Sequence, residues 1–543
     1  MHRIAHLSER GLDHRPRQSR SLRRGIKIAA ALAVATAGTV LAVGPSTASA
    51  SGSGQIVQTA AGAVKGTVGS DHRVFNGVPY AAPPVGQQRW QPPKPSSSWT
   101  KVRDASRPGA DCVQTAVAWR PAAASTNEDC LYLNVWTPRQ ANGGSRLPVA
   151  IWFHGGGSVN GAGRDFQPVS MVDQGGMLVV TVNYRLGALG YLTLPQLDKE
   201  SASGNYGLLD QIQALRWVKD NITRFGGDPT KVMIAGQSAG AGSVCSLLAS
   251  PRASGLFDTA VIESGGNCAA SARADAQQKD AAFVNALGCD TAEVVTCLRE
   301  KSPSDILNAQ QHAGTWGRVI EAGVLPVQPQ DAFKTGTFNH VPVLIGGTAN
   351  EDRAFVYEGN DLVNQPVTAA GYVAAVRAAY GDKASEVLGH YPPADFGNVP
   401  GAALAAVQTD SRHSCAELSS ASSLTASVPT YVFEFQDETA PVRPYELVPS
   451  SFSLATQHSS ELPYLWGANT AKPLTSRQRE LSRQMIAYWA RFARTGSLDP
   501  RGLPAVPRYN PTAHQEVTLK SDGAQVTDDM AAHHQCSFWA THS

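Results

Sequence analysis

Excess charge of either sign is missing from this sequence: Lys and Arg number 46, Asp and Glu 44, and the formal net charge over 543 residues is +2. That balance leaves no electrostatic footprint for nucleic acid or acidic polymers as partners. No Cys-x-x-Cys occurs, and no Cys or His cluster has zinc spacing, so neither a metal nor a redox centre is read. No segment beyond the N-terminus is apolar for long enough to span a bilayer. Repeats and interior low-complexity linkers are absent as well.

What is present begins with an export signal. Arg15, Arg17, Arg20, Arg23, Arg24 and Lys27 crowd the N-terminus, so the remainder is mildly acidic. An apolar run of small residues follows, roughly 28–43, and Ala48-Ser49-Ala50 then fits the small-x-small pattern cut by signal peptidase. We expect a signal peptide over residues 1–50 and a secreted mature chain over 51–543, read as a single domain. Arg23-Arg24 hints at the twin-arginine route. The alternative, a membrane anchor, suits the run less well, because the run is rich in Ala and Gly and short for a span. Eight cysteines in an exported chain read as disulfides.

The middle of the chain alternates two periodicities. Residues 148–153, 178–182 and 232–235 are short continuous apolar runs, and 208–218 carries apolar residues at helical spacing. Further strand candidates are 259–262, 341–345 and 431–435. Residues 476–494 read as a helix capped by Ser476 and stopped by Gly496. Strands buried on both faces, alternating with amphipathic helices, predict an α/β class with a mostly parallel sheet flanked by helices. The long segments 269–338 and 355–427, helical but broken by Pro and Gly, are expected to be cap insertions over the site.

Gly236-Gln237-Ser238-Ala239-Gly240 follows a strand and opens a helix, the G-x-S-x-G elbow of an α/β-hydrolase fold. A nucleophilic serine needs such a turn, which pushes the hydroxyl out of the sheet and sets it before the positive end of a helix. His154-Gly155-Gly156-Gly157 ends an earlier strand and suits the H-G-G-G loop that binds an oxyanion. The expected donors are the backbone N–H groups of Gly156, Gly157 and Ala239. A base must come from the histidines, and His154, His312, His340, His390, His413, His458, His514, His533 and His534 are all candidates on residue chemistry alone. His154 or the His533-His534 pair as metal ligands has no further support in the sequence.

These motifs lie within a longer pattern. Phe75-Asn76-Gly77-Val78-Pro79-Tyr80-Ala81, Glu128-Asp129-Cys130-Leu131-Tyr132-Leu133-Asn134-Val135, Asn183-Tyr184-Arg185 and Phe225-Gly226-Gly227-Asp228-Pro229 precede the elbow in that order. Together they resemble the type B carboxylesterases, the family of the cholinesterases and some fungal lipases, over nearly the whole mature chain. The resemblance implies an α/β-hydrolase with a Ser-His-Glu triad, an acyl-enzyme intermediate and no cofactor. It implies Glu351 as the acid, with Asp352 the adjacent competitor, and His458, in His458-Ser459-Ser460-Glu461-Leu462-Pro463, as the base. It also implies bridges Cys112–Cys130, Cys289–Cys297 and Cys415–Cys536. Cys245 and Cys268 are left as a fourth bridge or two buried thiols.

Departures from the family bear on substrate. Gln237 stands where Glu is common, which removes a negative charge beside the nucleophile and disfavours cationic choline esters. Ser158 replaces an aromatic residue common after the glycines, and Ser264 fits a supporting position near the acid. The expected activity is hydrolysis of neutral carboxylic esters of short to medium acyl length. The alternatives are a lipase or amidase with the same triad, or a non-catalytic cholinesterase-like binding protein. Oligomeric state is not legible.

Overall fold

The apolar run read at 148–153 lies inside a strand, Leu147–Phe153, at the middle of an eleven-stranded sheet. This is a computed structural model, and it describes residues 54–120, 122–199 and 203–542. The leader expected over 1–50 lies outside them. In chain order the sheet strands are β1 (Thr67–Val68), β2 (His72–Pro79), β3 (Tyr132–Pro138), β4 (Leu147–Phe153), β5 (Leu178–Val182), β6 (Gly227–Gln237), β7 (Thr259–Glu263), β8 (Val343–Thr348), β9 (Thr430–Phe435), β10 (Glu516–Lys520) and β11 (Gly523–Thr527). In space they run β11-β10-β9-β8-β7-β6-β4-β5-β3-β2-β1. The strands from β5 through β10 pair in parallel, and the two edges are antiparallel.

The central strands read as unbroken apolar runs because both faces of the sheet are covered. Val149, Ile151 and Phe153 of β4 join one core with Leu208, Ile212 and Leu215 of α1 (Tyr206–Asn221) and Val244, Leu247 and Leu248 of α2 (Ala239–Ala249). Ala150 and Trp152 turn to the other core, against Leu481, Met485, Ile486 and Trp489 of a C-terminal helix. Each fully buried Leu, Ile or Phe there contributes about 1.5–3 kcal/mol. The described residues form one compact unit, and none of their helices is long and apolar enough to cross a membrane.

Three further helices matter for the site: α3 (Arg353–Gly359), α4 (Cys415–Thr425) and α5 (Ser476–Thr495). The start of α5 corrects an expectation. Ser476 is its first helical residue, not its cap. Thr475 is extended, its hydroxyl accepts the Gln478 N–H at 3.3 Å, and the Gln478 side chain accepts the Thr475 N–H at 2.8 Å. This reciprocal pair satisfies two donors at once, which Ser476 cannot do from inside the helix. Gly496 ends α5 with φ +70°, as expected. The three bridges implied by resemblance are formed, and Cys245–Cys268 is joined too, which ties α2 to the chain after β7. The first insertion packs around Phe283, Leu298, Ile306 and Trp316, and the second around Tyr372, Val376 and Leu404.

Candidate active site

Ser238 sits between β6 and α2 with φ 59° and ψ −126°. An L-residue tolerates that conformation only when its surroundings impose it. Two glycines allow it. A Cβ on Gly240 would lie 2.0 Å from the Phe153 carbonyl, and one on Gly236 would lie 2.5 Å from the Gly240 backbone. The turn is pinned by the Ser238 N–H, which donates to the Glu263 carbonyl at 3.0 Å.

Beside this turn runs the loop that leaves β4. Gly156 and Gly157 have φ +105° and +62°. The Gly156 carbonyl accepts from the N–H groups of Val159 and Asn160 at 3.1 and 2.9 Å. Among the described residues, the N–H groups of Gly156, Gly157 and Ala239 have no protein acceptor. All three are thus available to an incoming oxygen, and Ala239 adds the first turn of α2. His154 braces the loop: its Nδ1 lies 2.8 Å from the Gly155 carbonyl, and Tyr184 stacks on its ring at 4.4 Å. Burial lowers His154 to about 4, so it is neutral at physiological pH.

Glu351 lies just after β8, and its carboxylate is fully engaged. It accepts from the Ser264 hydroxyl at 2.6 Å, from the Thr348 N–H at 2.7 Å, and from Nδ1 of His458 in a close contact. Burial works against its charge. The adjoining His458 ring and its hydrogen bond, with His413 and the Ser264 hydroxyl, outweigh burial and hold the carboxyl down at about 2. Asp352 turns elsewhere, towards His413 at 3.5 Å and Arg412 at 3.8 Å, and burial pushes its carboxyl up. Of the two acids left open by sequence, Glu351 is the one against His458. Phe355 packs on the same ring at 4.8 Å.

The other ring nitrogen of His458 has an unanticipated partner. Its Nε2 lies 3.0 Å from the side-chain amide nitrogen of Gln237. No hydrogen bond joins the Ser238 hydroxyl to His458 among the described residues. Ser238 and His458 nevertheless line one cavity of about 630 Å³, together with Gly156, Gly157, Trp119 and Phe355. Such a volume suits a small organic molecule. Its remaining walls come from α3, through Ala354 and Glu358, and from segments around Arg164, Arg443 and Ala468, and no residue of 269–338 lines it. The first insertion reaches the elbow through Arg318, whose guanidinium donates to the Ala239 carbonyl at 3.0 Å.

Three buried carboxyls near the site escaped the reading from sequence. Glu263, at the end of β7, accepts from the indoles of Trp489 and Trp466 at 2.8 and 3.0 Å, yet burial pushes it up to about 8. Burial and the nearby Glu351 raise Glu417 to about 8, and burial raises Glu461 well above the usual carboxylate range. Glu263 had a visible signal, since it closes an apolar run buried on both faces. His534 needed tertiary structure: its nitrogens lie 2.6 Å from Asp410 and 2.5 Å from Glu434. Burial opposes its charge, but the two acids raise it to about 10.

The profile of the carboxylesterase family matches residues 53–539. The chain belongs to this family of α/β-hydrolases, and it is a carboxylic ester hydrolase acting on small-molecule esters. Among curated relatives, it is 35% identical to the fumonisin B1 esterase of Sphingopyxis macrogoltabida, over 83% of this chain and 84% of that protein. It is 32% identical to the para-nitrobenzyl esterase of Bacillus subtilis (strain 168), over 86% and 94% respectively. Among solved structures, a thermophilic PNB esterase superposes with a TM-score of 0.76 at 30% identity, covering 89% of this chain and 99% of that one.

Proposed function

We propose that this chain is an exported serine hydrolase that cleaves neutral carboxylic esters of short to medium acyl length. In this reading Ser238 is the nucleophile, His458 the general base and Glu351 the acid that orients it. The N–H groups of Gly156, Gly157 and Ala239 receive the oxyanion. The observation that carries the reading is the contact of Glu351 with His458, a ring that lines the same cavity as Ser238.

The reaction follows from these atoms. His458 Nε2 takes the Ser238 proton as Oγ attacks the ester carbonyl, and the carbonyl oxygen becomes an oxyanion held by three N–H donors. The protonated ring then gives its proton to the leaving alcohol oxygen as the C–O bond breaks, leaving an acyl-serine. Water, deprotonated by the same nitrogen, attacks the acyl carbon, and the proton passes from Nε2 to Ser238 Oγ as the acyl C–Oγ bond breaks and the acid leaves. Glu351 stays ionised throughout and stabilises the ring cation.

The substrate class rests on the cavity and on Gln237, which puts no charge beside the nucleophile. The names of relatives, esterases of fumonisin B1 and para-nitrobenzyl substrates, support small organic esters. Export rests on the leader pattern and on four disulfides, and residues 51–543 then form a single catalytic domain. A panel of p-nitrophenyl esters tests the preference: kcat/KM should peak at short to medium acyl chains. A peak at long chains, or turnover of cationic esters alone, would overturn it.

A further inference from the structure

Gln237 occupies the atom of His458 that catalysis requires. The amide nitrogen lies 3.0 Å from Nε2, and both side chains are buried. Nδ1 of the ring faces the Glu351 carboxylate, which only accepts, so the ring proton sits on Nδ1. In the neutral ring Nε2 then carries a lone pair, and the side of the amide facing it is the N–H side. The Ser238 hydroxyl has no bond to the ring among the described residues.

We infer that Gln237 is a positioning residue that holds the neutral His458 ring in the resting enzyme and yields its lone pair to Ser238 when substrate binds. The inference rests on His458 being the base. One lone pair accepts one good hydrogen bond, so the amide and the hydroxyl exclude each other. The amide also distinguishes protonation states. A protonated Nε2 is a donor, so Gln237 would have to turn its amide over and present its oxygen before it could bond the charged ring. The Gln237 bond thus belongs to the neutral ring and opposes its protonation. The commoner glutamate would do the reverse, since a carboxylate accepts from the protonated ring.

Other groups around the ring are the same whichever residue stands at 237. Glu351 bonds Nδ1, while Asp352 and His413 lie beyond it, with the two imidazoles 5.9 Å apart. Arg412 pairs with Asp352, and Glu461 follows three residues along the same loop. Glu417 faces Glu351, Glu263 faces Glu461, and Glu358 and Arg443 line the cavity.

The test is the pH profile of kcat/KM on a neutral p-nitrophenyl ester for the wild type, Gln237→Met and Gln237→Glu. Methionine keeps the shape and removes the donor, so the acid limb should move up by about half to one pH unit. Glutamate should move it further, by more than about one unit. An acid limb at or below the wild-type position in either variant overturns the inference. Ser238→Ala is assayed alongside: if it still hydrolyses the ester, the nucleophile assignment fails whatever the limbs do.

Discussion

At the residue scale, the proposed acid is the carboxylate that meets the ring. Glu351 and Asp352 are neighbours in sequence and both buried, but only Glu351 faces His458, while Asp352 faces His413. Glu351→Gln should therefore lower kcat by roughly a thousandfold to ten-thousandfold, the scale for losing a triad acid. Asp352→Asn should lower it less than about tenfold, because it leaves the tautomer of the base intact. Steady-state kinetics on one ester separates the two, and equal losses would contradict the assignment. The family resemblance pointed to Glu351, with Asp352 beside it as the competitor. Periodicity does not encode which of two adjacent loop side chains turns inward.

The buried glutamates carry a prediction about stability. Glu263 titrates at about 8 in the folded chain against an ordinary 4.5, so it keeps its proton where the unfolded chain has lost it. A raised folded value gives stability that is present below about 4.5 and lost as pH rises through about 8. His534 acts in the same direction between 6.5 and about 10. Glu351, held low, acts in the opposite sense: its contribution is present above 4.5 and lost as pH falls towards about 2. The melting temperature should thus decline between pH 5 and pH 9. Glu263→Gln, which mimics the protonated form, should decline less over that range. Parallel curves for the two proteins would show that Glu263 is not protonated in the fold.

At the scale of elements, the legible parts were those whose burial leaves a pattern. The runs at 148–153, 178–182 and 259–262 are strands because a sheet covered on both faces demands unbroken apolar residues. The hairpin of β10 and β11 went unread: its strands are five residues each, and β11 has no fully buried residue to mark it. The α5 boundary was read one residue late, because Ser476 and Thr475 are both competent caps and only backbone conformation chooses between them. Thr475→Ala should cost about 1 kcal/mol in urea unfolding. Ser476→Ala should stay within about 0.5 kcal/mol of the wild type. The reverse order would place the cap back at Ser476.

For the whole molecule, topology does what no local pattern reveals. The elbow on β6, the glycine loop after β4 and the histidine loop after β9 follow central parallel strands and meet at one cavity, and Glu351, just after β8, backs His458 there. That convergence beside strand ends is where open α/β sheets bind ligands. The motifs for serine and glycines were visible in sequence. Gln237 as a partner of His458 was not, since it depends on a contact across 221 residues. The fourth bridge, Cys245–Cys268, likewise needed the packing of α2 beside β7.

Covalent labelling of Ser238 bears most directly on the account. Treatment with a neutral organophosphate, followed by peptide mass spectrometry, should show one adduct per chain on the peptide containing Ser238, formed in step with loss of esterase activity. Ser238→Ala should take no label and hydrolyse no ester. An adduct on another residue that tracks inactivation, or ester turnover by the alanine variant, would contradict the assignment of nucleophile and mechanism together.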